Sequence, residues 1–519
     1  MQAAPDAARE RPVSGALRAA LWHARLDRLS GVILCASVVF APWALGGTPS
    51  WARLVLKVVG YTLGLLWFLK KLIRRKWRYT PPRWETECER FGHAGWFGHA
   101  WSRVLGILTV ATLTYAAVAA WNARAIYEPD FGTFAYRPYI PWLPHSYDAH
   151  SSWETFTMAL AMACFFWSAR DWMLGQNLHD RRWIRRLRPR SDTGLILPHR
   201  LRALLWVISL NGALLSAEAI VQRWSETDRL LWLVRPRHNA VAEAQLGPFN
   251  YRSNGAQYLN LIWPVTLGLW WRLHQMDRAG SPSALRSITR RSCRVHHLLL
   301  PAAGLMAATS VLSLSRGGAA VAVGSMLVCT GIFWTGWRHR RPAVRMGLLA
   351  FWGCAMTLAL WISGPSLEQR LEVLDDGMVQ REQMYETGRA IAQDYPWFGT
   401  GPGTLGTVFQ LYRKSPEDYW PAQLHNDWLE YRVTWGRVGL ALILLAFGMI
   451  WLRYFLPGGV ITSWRLWLFY AVALGGCLVH ARWDFPLQIP SIQHLVTIHC
   501  AALSLFSHPH WAGHSGRLR

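Results

Sequence analysis

Apolar runs of membrane length alternate with polar, arginine-rich connectors along most of the chain. Several runs extend over about 18 to 22 residues with almost no charge, enough for a helix to cross a hydrocarbon core of about 30 Å. Soluble domains do not repeat this pattern so often. The pattern predicts an all-α fold, a polytopic transmembrane helical bundle of about 12 spans in one integral membrane domain over residues 1–519. The predicted spans are 29–46, 53–69, 103–121, 153–173, 203–221, 255–271, 298–314, 318–336, 344–363, 438–455, 464–481 and 490–507.

Arginine and lysine concentrate in every second connector, and they account for the net charge of +25 at pH 7. This alternation is the positive-inside pattern, so these connectors are predicted to be cytoplasmic and to face anionic lipid headgroups. It explains the charge without nucleic acid, which we exclude as a partner. An even number of spans then places both termini in the cytoplasm. The basic connectors include 70–76, 181–190, 286–294 and 338–341.

The N-terminal segment predicts no cleaved signal peptide. Residues 1–28 are arginine-rich, and the apolar run Leu29 to Gly46 has no small-residue cleavage site after it. We therefore interpret that run as an uncleaved first span.

The chain has eight cysteines, and the predicted topology places none of them in an outside loop. A disulfide framework is therefore not expected. Because the sequence contains no CxxC pair, a zinc or iron–sulfur site is not expected either.

Three connectors on the opposite, periplasmic side are long or rich in aromatic and turn residues: 122–152, 222–254 and 364–437. The last lies between predicted spans nine and ten, and its acidic residues outnumber its basic ones. Within it, residues 379–393 are predicted to form a helix that ends before Asp394-Tyr395-Pro396. A glycine-rich turn, Gly399 to Gly403, follows.

Arg316 is the most informative single residue, because Ser315-Arg316-Gly317-Gly318 interrupts a long apolar stretch between spans seven and eight. An arginine at the centre of a membrane helix costs about 2.5–3.5 kcal/mol and less near the interface. Arg316 could simply extend its guanidinium to the interface. Alternatively, it could hold an anion, aided by the backbone N–H groups that a glycine turn exposes.

Arg252 and His425 are weaker candidates when each is considered alone. Arg252 precedes span six among Asn250, Asn254 and Gln257, whose amides would suit a polar ligand, although loop arginines are common. His425, in His425-Asn426-Asp427 before span ten, could be a general base because imidazole titrates near neutral pH. A solvated loop histidine is the alternative.

Other charged residues favour structural roles. His480 and Asp484 end span eleven four residues apart and could meet across a helical turn as a cap or ion pair. In the predicted loop helix, ion pairs at i,i+3 and i,i+4 spacing are the preferred interpretation of Glu382, Glu386 and Arg389. A catalytic role for them is the less favoured alternative. The sequence has no Walker A lysine loop and no DxD-type motif in an outside loop, which disfavours a cytoplasmic enzyme that uses nucleotide sugars.

Five segments combine into one recognisable pattern: Gly247 to Tyr258, Ser315 to Gly318, Asp394 to Gly403, His425 to Glu430 with Gly436 and Gly439, and His480 to Pro490. Taken together, they resemble the O-antigen ligase and O-antigen polymerase superfamily of bacterial membrane glycosyltransferases. Their order and their placement relative to the spans carry the resemblance, which covers roughly 200–490. At the first segment many members have an Asn-Arg-Asn-His-like string, where this chain has Asn250-Tyr251-Arg252-Ser253-Asn254.

The resemblance implies transfer of a glycan from undecaprenyl diphosphate on the periplasmic face of the bacterial inner membrane. A ligase passes the glycan to lipid A-core, a polymerase passes it to another repeat unit, and some relatives glycosylate proteins. No metal and no cofactor is implied. The large late loop containing His425 favours the ligase-like interpretation.

The resemblance also assigns roles to residues. Arg252 and Arg316 would bind the diphosphate, and His425 would orient or deprotonate the acceptor hydroxyl. We expect these three residues to converge within about 15 Å on one outward cleft. The further substrate-binding candidates are Asn250, Asn254, Ser315, Gly317, Arg381, Gly401, Gly403, Asn426 and Asp427.

Two other classes of function compete with this one. A transporter of lipid-linked glycans predicts charged residues near span middles, broken helices and pseudo-symmetric halves. A scaffold protein of an envelope complex predicts no requirement for Arg316 or His425.

Overall fold

The computed structural model describes residues 15–85, 95–184, 197–278, 295–336, 352–353, 357, 374–413, 422–457 and 459–508. These parts of the chain are mostly helical, which confirms the predicted class. The α-helices are α1 Gly15–Trp43, α2 Ser50–Lys76, α3 Gly95–Trp121, α4 Ala149–Leu174, α5 Leu178–Ile184, α6 His199–Trp224, α7 Arg252–Arg278, α8 Leu299–Leu312, α9 Arg316–Gly336, α10 Leu374–Asp394, α11 Leu405–Val408, α12 Asp427–Leu452, α13 Trp464–His480 and α14 Pro490–Leu503.

Six helices of the described residues are long and apolar enough to cross a membrane, namely α1, α2, α3, α6, α9 and α12. Two shorter apolar helices lie at His296–Leu312 and Trp464–His480. A helix covers each predicted span except the ninth, 344–363, most of which lies outside the described residues. The molecule is therefore a helical membrane protein, while the count of about 12 spans stays a prediction.

Strand structure is limited to two small pairs in the described residues. Strands β1 (Ala125–Glu128) and β2 (Thr133–Tyr136) form an antiparallel hairpin within the predicted loop 122–152. Strands β3 (Val460–Ile461) and β4 (Phe506–Ser507) pair in parallel.

Several helix starts follow local rules of capping. Asp148 accepts hydrogen bonds from the backbone N–H groups of His150 and Ser151 at the start of α4. Asn426 accepts one from Leu429 at the start of α12, and Pro490 occupies the first turn of α14. These residues satisfy or remove N–H groups that have no partner inside the helix.

Helix α7 forms the centre of the bundle, because every residue from 253 to 272 is buried. It packs against α6, α8, α9, α13 and α14. Gly268 allows close approach, since a Cβ atom there would lie 2.9 Å from the Cβ of Phe469 on α13. The residues at the start of α7 are consequently held in place by neighbours on all sides.

A buried ion-pair cluster joins α1, α2 and α4 at one end of the bundle. The Lys70 ammonium lies 3.0 Å from a carboxylate oxygen of Asp27 and 2.8 Å from one of Asp171, and its side chain is fully buried. Arg83 also contacts Asp171, at 2.7 Å. We predicted that this basic connector faces lipid headgroups; Lys70 instead points inward, because two acidic residues distant in sequence supply its countercharge.

Helix α12 is interrupted at Gly436, whose φ of 62° and ψ of −169° are not helical. Segment 396–401 fills the interruption. The backbone N–H groups of Thr400 and Gly401 donate to the carbonyls of Val433 and Thr434 at 2.9 and 3.0 Å. In return, Arg437 N–H donates to Pro396 at 3.0 Å. This exchange attaches the glycine-rich turn of the large loop to α12.

Replacing Gly436 with alanine should lower thermal stability, because this backbone conformation is essentially restricted to glycine and costs about 1–3 kcal/mol for other residues. A Cβ atom would also collide with the Trp397 carbonyl. The melting temperature of the detergent-purified protein measures the effect. Gly448→Ala is the matched control, since Gly448 lies on the same helix and a Cβ there meets nothing within 4 Å. Equal melting temperatures for the two variants would contradict this account.

Candidate functional site

Four segments distant in sequence meet at one end of the bundle: the start of α7, the turn from α8 to α9, the residues before α12, and those after α13. A chain of hydrogen bonds joins them. Ser315 Oγ donates to Ser253 Oγ at 3.0 Å, Ser253 Oγ donates to Asp484, and Asp484 contacts His425. Four of the segments singled out in the sequence therefore adjoin one another.

His425 and Asp484 form a histidine–carboxylate pair, with His425 Nδ1 3.1 Å from Asp484 Oδ1. The carboxylate accepts, so Nδ1 carries the proton and Nε2 has the free lone pair. The Asp484 side chain is only 6% exposed, whereas that of His425 is 26% exposed. The carboxylate of the pair is therefore buried, and the imidazole is accessible to a substrate.

Surrounding groups fix the imidazole of His425. Its ring contacts those of Phe485 and Tyr251 edge to face, with centroids 4.8 and 5.9 Å away. The Tyr385 hydroxyl donates to the His425 carbonyl at 2.9 Å. The backbone φ of His425 is +51°, in the left-handed region that side-chain-bearing residues seldom adopt. Such strained positions cluster at functional sites.

Asp484 is charged in the folded protein. Burial acts to raise its pKa, but the hydrogen bond and charge of His425, with help from His480 and Ser253, outweigh burial and lower the pKa below its ordinary value. A lowered pKa contributes stability above the unfolded pKa of about 3.9, and that contribution is lost as pH falls through the folded value. At neutral pH the carboxylate can therefore stabilise an imidazolium.

His480 has a supporting position beneath this pair. Its Nδ1 lies 2.8 Å from Gln257 Oε1 and its Nε2 lies 3.0 Å from Ser253 Oγ. The predicted ion pair with Asp484 is loose, at 3.9 Å, and does not span a helical turn because α13 ends at His480. Gly317 packs on the ring of His480, where a Cβ atom would lie 2.7 Å from Nε2.

Arg252 and Arg316 are each the first residue of a helix, α7 and α9 respectively. Their helices begin next to the linked hydroxyls of Ser253 and Ser315. Arg316 is exposed, and Arg252 is half-buried with a guanidinium N–H that donates to the Glu243 carbonyl at 2.8 Å. Helix N-termini favour anions, and arginine adds bidentate donors, so both features make this region attractive to a phosphate group.

Arg381 of α10 supplies another guanidinium at the site. It donates to the carbonyl of Trp483 at 3.0 Å, next to Asp484, and its positive charge acts on the Tyr251 hydroxyl. Burial, followed by the charge of Asp484, raises the pKa of Tyr251, so its hydroxyl stays protonated. Farther along α10, Arg389 pairs with Glu382 at 2.5 Å, seven residues away, whereas the prediction was for pairs three or four residues apart.

The amide candidates Asn250 and Asn254 lie on either side of Arg252. Asn254 is buried and Asn250 half-buried, and their Oδ1 atoms have no hydrogen-bond partner among the described residues. Most buried polar groups in proteins are paired, so these two acceptors are consistent with a polar ligand.

The remaining candidates have mainly architectural contacts. Gly401 and Gly403 pack on Ser146 and Thr155 rather than on His425. Asn426 caps α12, as described above. Asp427 accepts from the backbone N–H of Leu487 at 2.8 Å and from the amide of Gln488 at 3.0 Å. Substrate binding by these four residues stays a prediction.

Ser253, Tyr251 and Phe485 were not among the residues predicted from the sequence, and Asp484 was predicted to form a cap or an ion pair with His480. The one available signal was the segment His480 to Pro490, which contributes Asp484 and Phe485. Nothing local to His425 indicates its partner, because Asp484 lies 59 residues away in sequence.

The fold and this site define a helical membrane protein with a histidine–carboxylate pair and two helix-initial arginines at one end of its bundle. Residues 301–444 match the family model described as O-antigen ligase. This match supports membership of the O-antigen ligase superfamily, confirms the resemblance predicted from the sequence, and implies a glycosyltransferase-like activity. The matched segment contains Arg316, Arg381 and His425 but not Arg252 or Asp484. No curated protein matches the chain.

Proposed function

We propose that the protein is a glycosyltransferase of the bacterial inner membrane, with both termini in the cytoplasm. It transfers a glycan from undecaprenyl diphosphate to an acceptor hydroxyl on the periplasmic face. The observation that carries the proposal is the His425–Asp484 pair next to two helix N-termini that each begin with arginine. This arrangement suits a reaction that needs both a base and charge stabilisation of a leaving phosphate.

The donor's diphosphate binds at the starts of α7 and α9. Arg252 and Arg316 neutralise its charge, and the positive ends of the two helix dipoles favour it. Negative charge grows on the bridging oxygen as the bond to the sugar breaks. The arginines therefore bind the transition state more tightly than the ground state and lower the barrier.

The acceptor is activated by His425. Its Nε2 takes the proton of the acceptor hydroxyl while the oxygen attacks the anomeric carbon from the face opposite the diphosphate, which inverts the configuration. The new C–O bond forms as the bond to the diphosphate breaks, and Asp484 stabilises the imidazolium that results. Side chains supply the base and the positive charge, so we propose a transfer step without a metal.

The acceptor we favour is lipid A-core or a related surface glycan, which makes the protein ligase-like. A polymerase would use the same base and arginines on another repeat unit. The choice depends on the surface around His425 that receives the acceptor, including α10, whose Arg381 and Tyr385 contact this region.

Glycan analysis of a deletion strain tests the proposal. Lipopolysaccharide, capsule, secreted polysaccharide and lipid-linked glycans are compared with and without the wild-type gene. A ligase predicts loss of long chains from lipid A-core with accumulation of lipid-linked chains, and a polymerase predicts single repeats only. Lipid-linked glycans trapped on the cytoplasmic face would indicate a transporter instead, and an unchanged glycan profile would sink the proposal.

Replacing Arg316 with alanine should lower glycan transfer by about 10²–10³-fold, the usual effect of removing one donor to a developing negative charge. Arg316→Lys should fall between alanine and wild type, because it keeps the charge but loses the bidentate fork. Transfer is measured in membranes with matched protein levels. Arg235→Ala, which removes an exposed arginine paired with Asp228, serves as the control. If Arg316→Ala kept full activity, Arg316 would not bind the diphosphate, and its guanidinium would simply extend to the membrane interface.

A further inference from the structure

Three histidines cluster at the opposite end of the central helix from the candidate site. His274 lies in the last turns of α7, and His296 and His297 lie in the 3₁₀ turn His296–Leu298 that leads into α8. One ligand nitrogen from each lies within 4.8 Å of the other two. His296 is buried, His274 is half-buried and His297 is exposed. The cluster therefore extends from the protein interior to its surface.

The cluster is remote from the proposed transfer chemistry. A helical rise of 1.5 Å per residue places His274 about 33 Å from Arg252 along α7. A ligand bound here therefore cannot contact the groups around His425, and any role must be separate from the reaction.

We propose that these three histidines bind a divalent transition-metal ion, with Zn²⁺ as the best match. Imidazole is a preferred ligand of zinc, copper and nickel, whereas calcium and magnesium require oxygen ligands. Three histidines hold zinc in many sites, and the fourth position remains open for water. The exposed edge at His297 provides access for both the ion and that water.

The geometry requires only small side-chain adjustments. Tetrahedral Zn–N bonds of about 2.0–2.1 Å place ligand nitrogens about 3.3 Å apart. The nitrogens of the cluster are at most 4.8 Å apart, so shifts of about 1–1.5 Å complete the site. His297 is exposed and can rotate, and the rings of His296 and His297 are already close, with centroids 4.2 Å apart.

Trp270 orients two of the three imidazoles. Its ring stacks on His274 with an interplanar angle of 13° and a centroid distance of 5.3 Å. Its Nε1–H donates to His297 Nδ1 at 3.5 Å, which is long for a hydrogen bond. Because this hydrogen bond is weak, a bond between a metal ion and His297 could replace it. Groups outside the coordination shell that set ligand orientation are typical of metal sites.

A bound ion would connect the end of α7 to the start of α8, which pack against each other. The opposite ends of these helices carry Ser253 and lead to Ser315 in the candidate site. The ion, with water as its fourth ligand, would therefore hold the two helices together at this end. The absence of a CxxC pair predicted no zinc site, but histidines brought together by helix packing leave no such motif in the sequence.

Zinc binding to the full-length, detergent-purified chain without a polyhistidine tag tests this proposal. After removal of metal with a chelator, the protein is titrated with Zn²⁺ against a competing dye, and bound zinc is measured by mass spectrometry. We expect about one zinc per chain in the wild type. His274→Gln and His297→Gln should each weaken binding at least about 10-fold. His150→Gln, an exposed histidine on α4, should bind as the wild type does.

A second readout uses the wild type alone and so does not depend on whether a variant folds. Cobalt in place of zinc should give the visible absorption of a four-coordinate site with nitrogen ligands. Zinc should also raise the melting temperature. If the wild type binds no zinc and shows no such cobalt spectrum, the proposal is overturned. The three rings would then be together only through aromatic packing. Glycan transfer is measured separately, so failure of either proposal leaves the other identifiable.

Discussion

Replacing His425 with alanine should lower the rate of glycan transfer by about 10²–10⁴-fold, the range that a general base contributes. The imidazole is the partly exposed group of the site, and its Nε2 is the nitrogen not engaged by Asp484. The substitution removes the base and leaves Arg252 and Arg316 unchanged. Donor binding should therefore survive, with the loss in kcat rather than in KM for the lipid-linked donor.

The measurement is the steady-state rate of transfer at several concentrations of a lipid-linked glycan in detergent, which gives kcat and KM. His425→Gln provides a variant of closer size that also lacks the base, and it should be as inactive as alanine. His238→Ala, in the exposed part of the loop before α7, is the matched control and should retain full activity. If His425→Gln transferred glycan at the wild-type rate, His425 would not be the base, and its strained backbone would need another explanation.

Replacing Asp484 with asparagine should lower transfer by about 10²–10⁴-fold, although the side chain keeps its shape. An asparagine can present its NH₂ group to His425 Nδ1, which would then accept rather than donate. The tautomer with a free Nε2 lone pair becomes disfavoured, and the imidazolium loses the charge that stabilises it. Asp484 is thus a positioning residue that acts through His425.

Asp484→Glu separates this role from a purely structural one. The glutamate keeps the carboxylate but changes its size, so it should retain more transfer activity than Asp484→Asn, which keeps the size but loses the charge. A purely structural role predicts the reverse order, because the side chain is buried and asparagine fits its space better than glutamate. Asp130→Asn, an exposed carboxylate in the β1–β2 turn, is the control. Near-normal activity of Asp484→Asn would remove Asp484 from the mechanism.

Arg316 and His425, two candidates named from the sequence, both lie at the candidate site. Arg316 stood out because a charge inside an apolar stretch is costly, and it begins α9 beside Ser315. His425 stood out only through the resemblance, and its surroundings of Tyr251, Phe485 and Asp484 could not be inferred from the residues near it. The predicted distance of about 15 Å between Arg252, Arg316 and His425 stays a prediction.

Helix α10 shows which properties of a helix can be predicted from its own residues and which cannot. Residues 379–393 were predicted as a helix ending before Asp394-Tyr395-Pro396, and α10 ends at Asp394. Proline and the preceding residue disfavour a helical backbone, so the end is set locally. Where α10 lies was not predictable, because contacts such as that of Arg381 with Trp483 join residues about a hundred positions apart.

The sequence alone determined that this is a helical membrane protein, where most of its apolar helices lie, and which superfamily it resembles. These properties depend on the local length, apolarity and charge of segments, since lipid acts on each segment independently. Only the tertiary structure decided that Asp484 pairs with His425, that Lys70 is buried between two carboxylates, that Gly401 and Gly403 pack on Ser146 and Thr155, and that three histidines adjoin. Each of these contacts depends on which helices pack together. The residues involved are far apart in the sequence, so the residues next to each one do not indicate its partner.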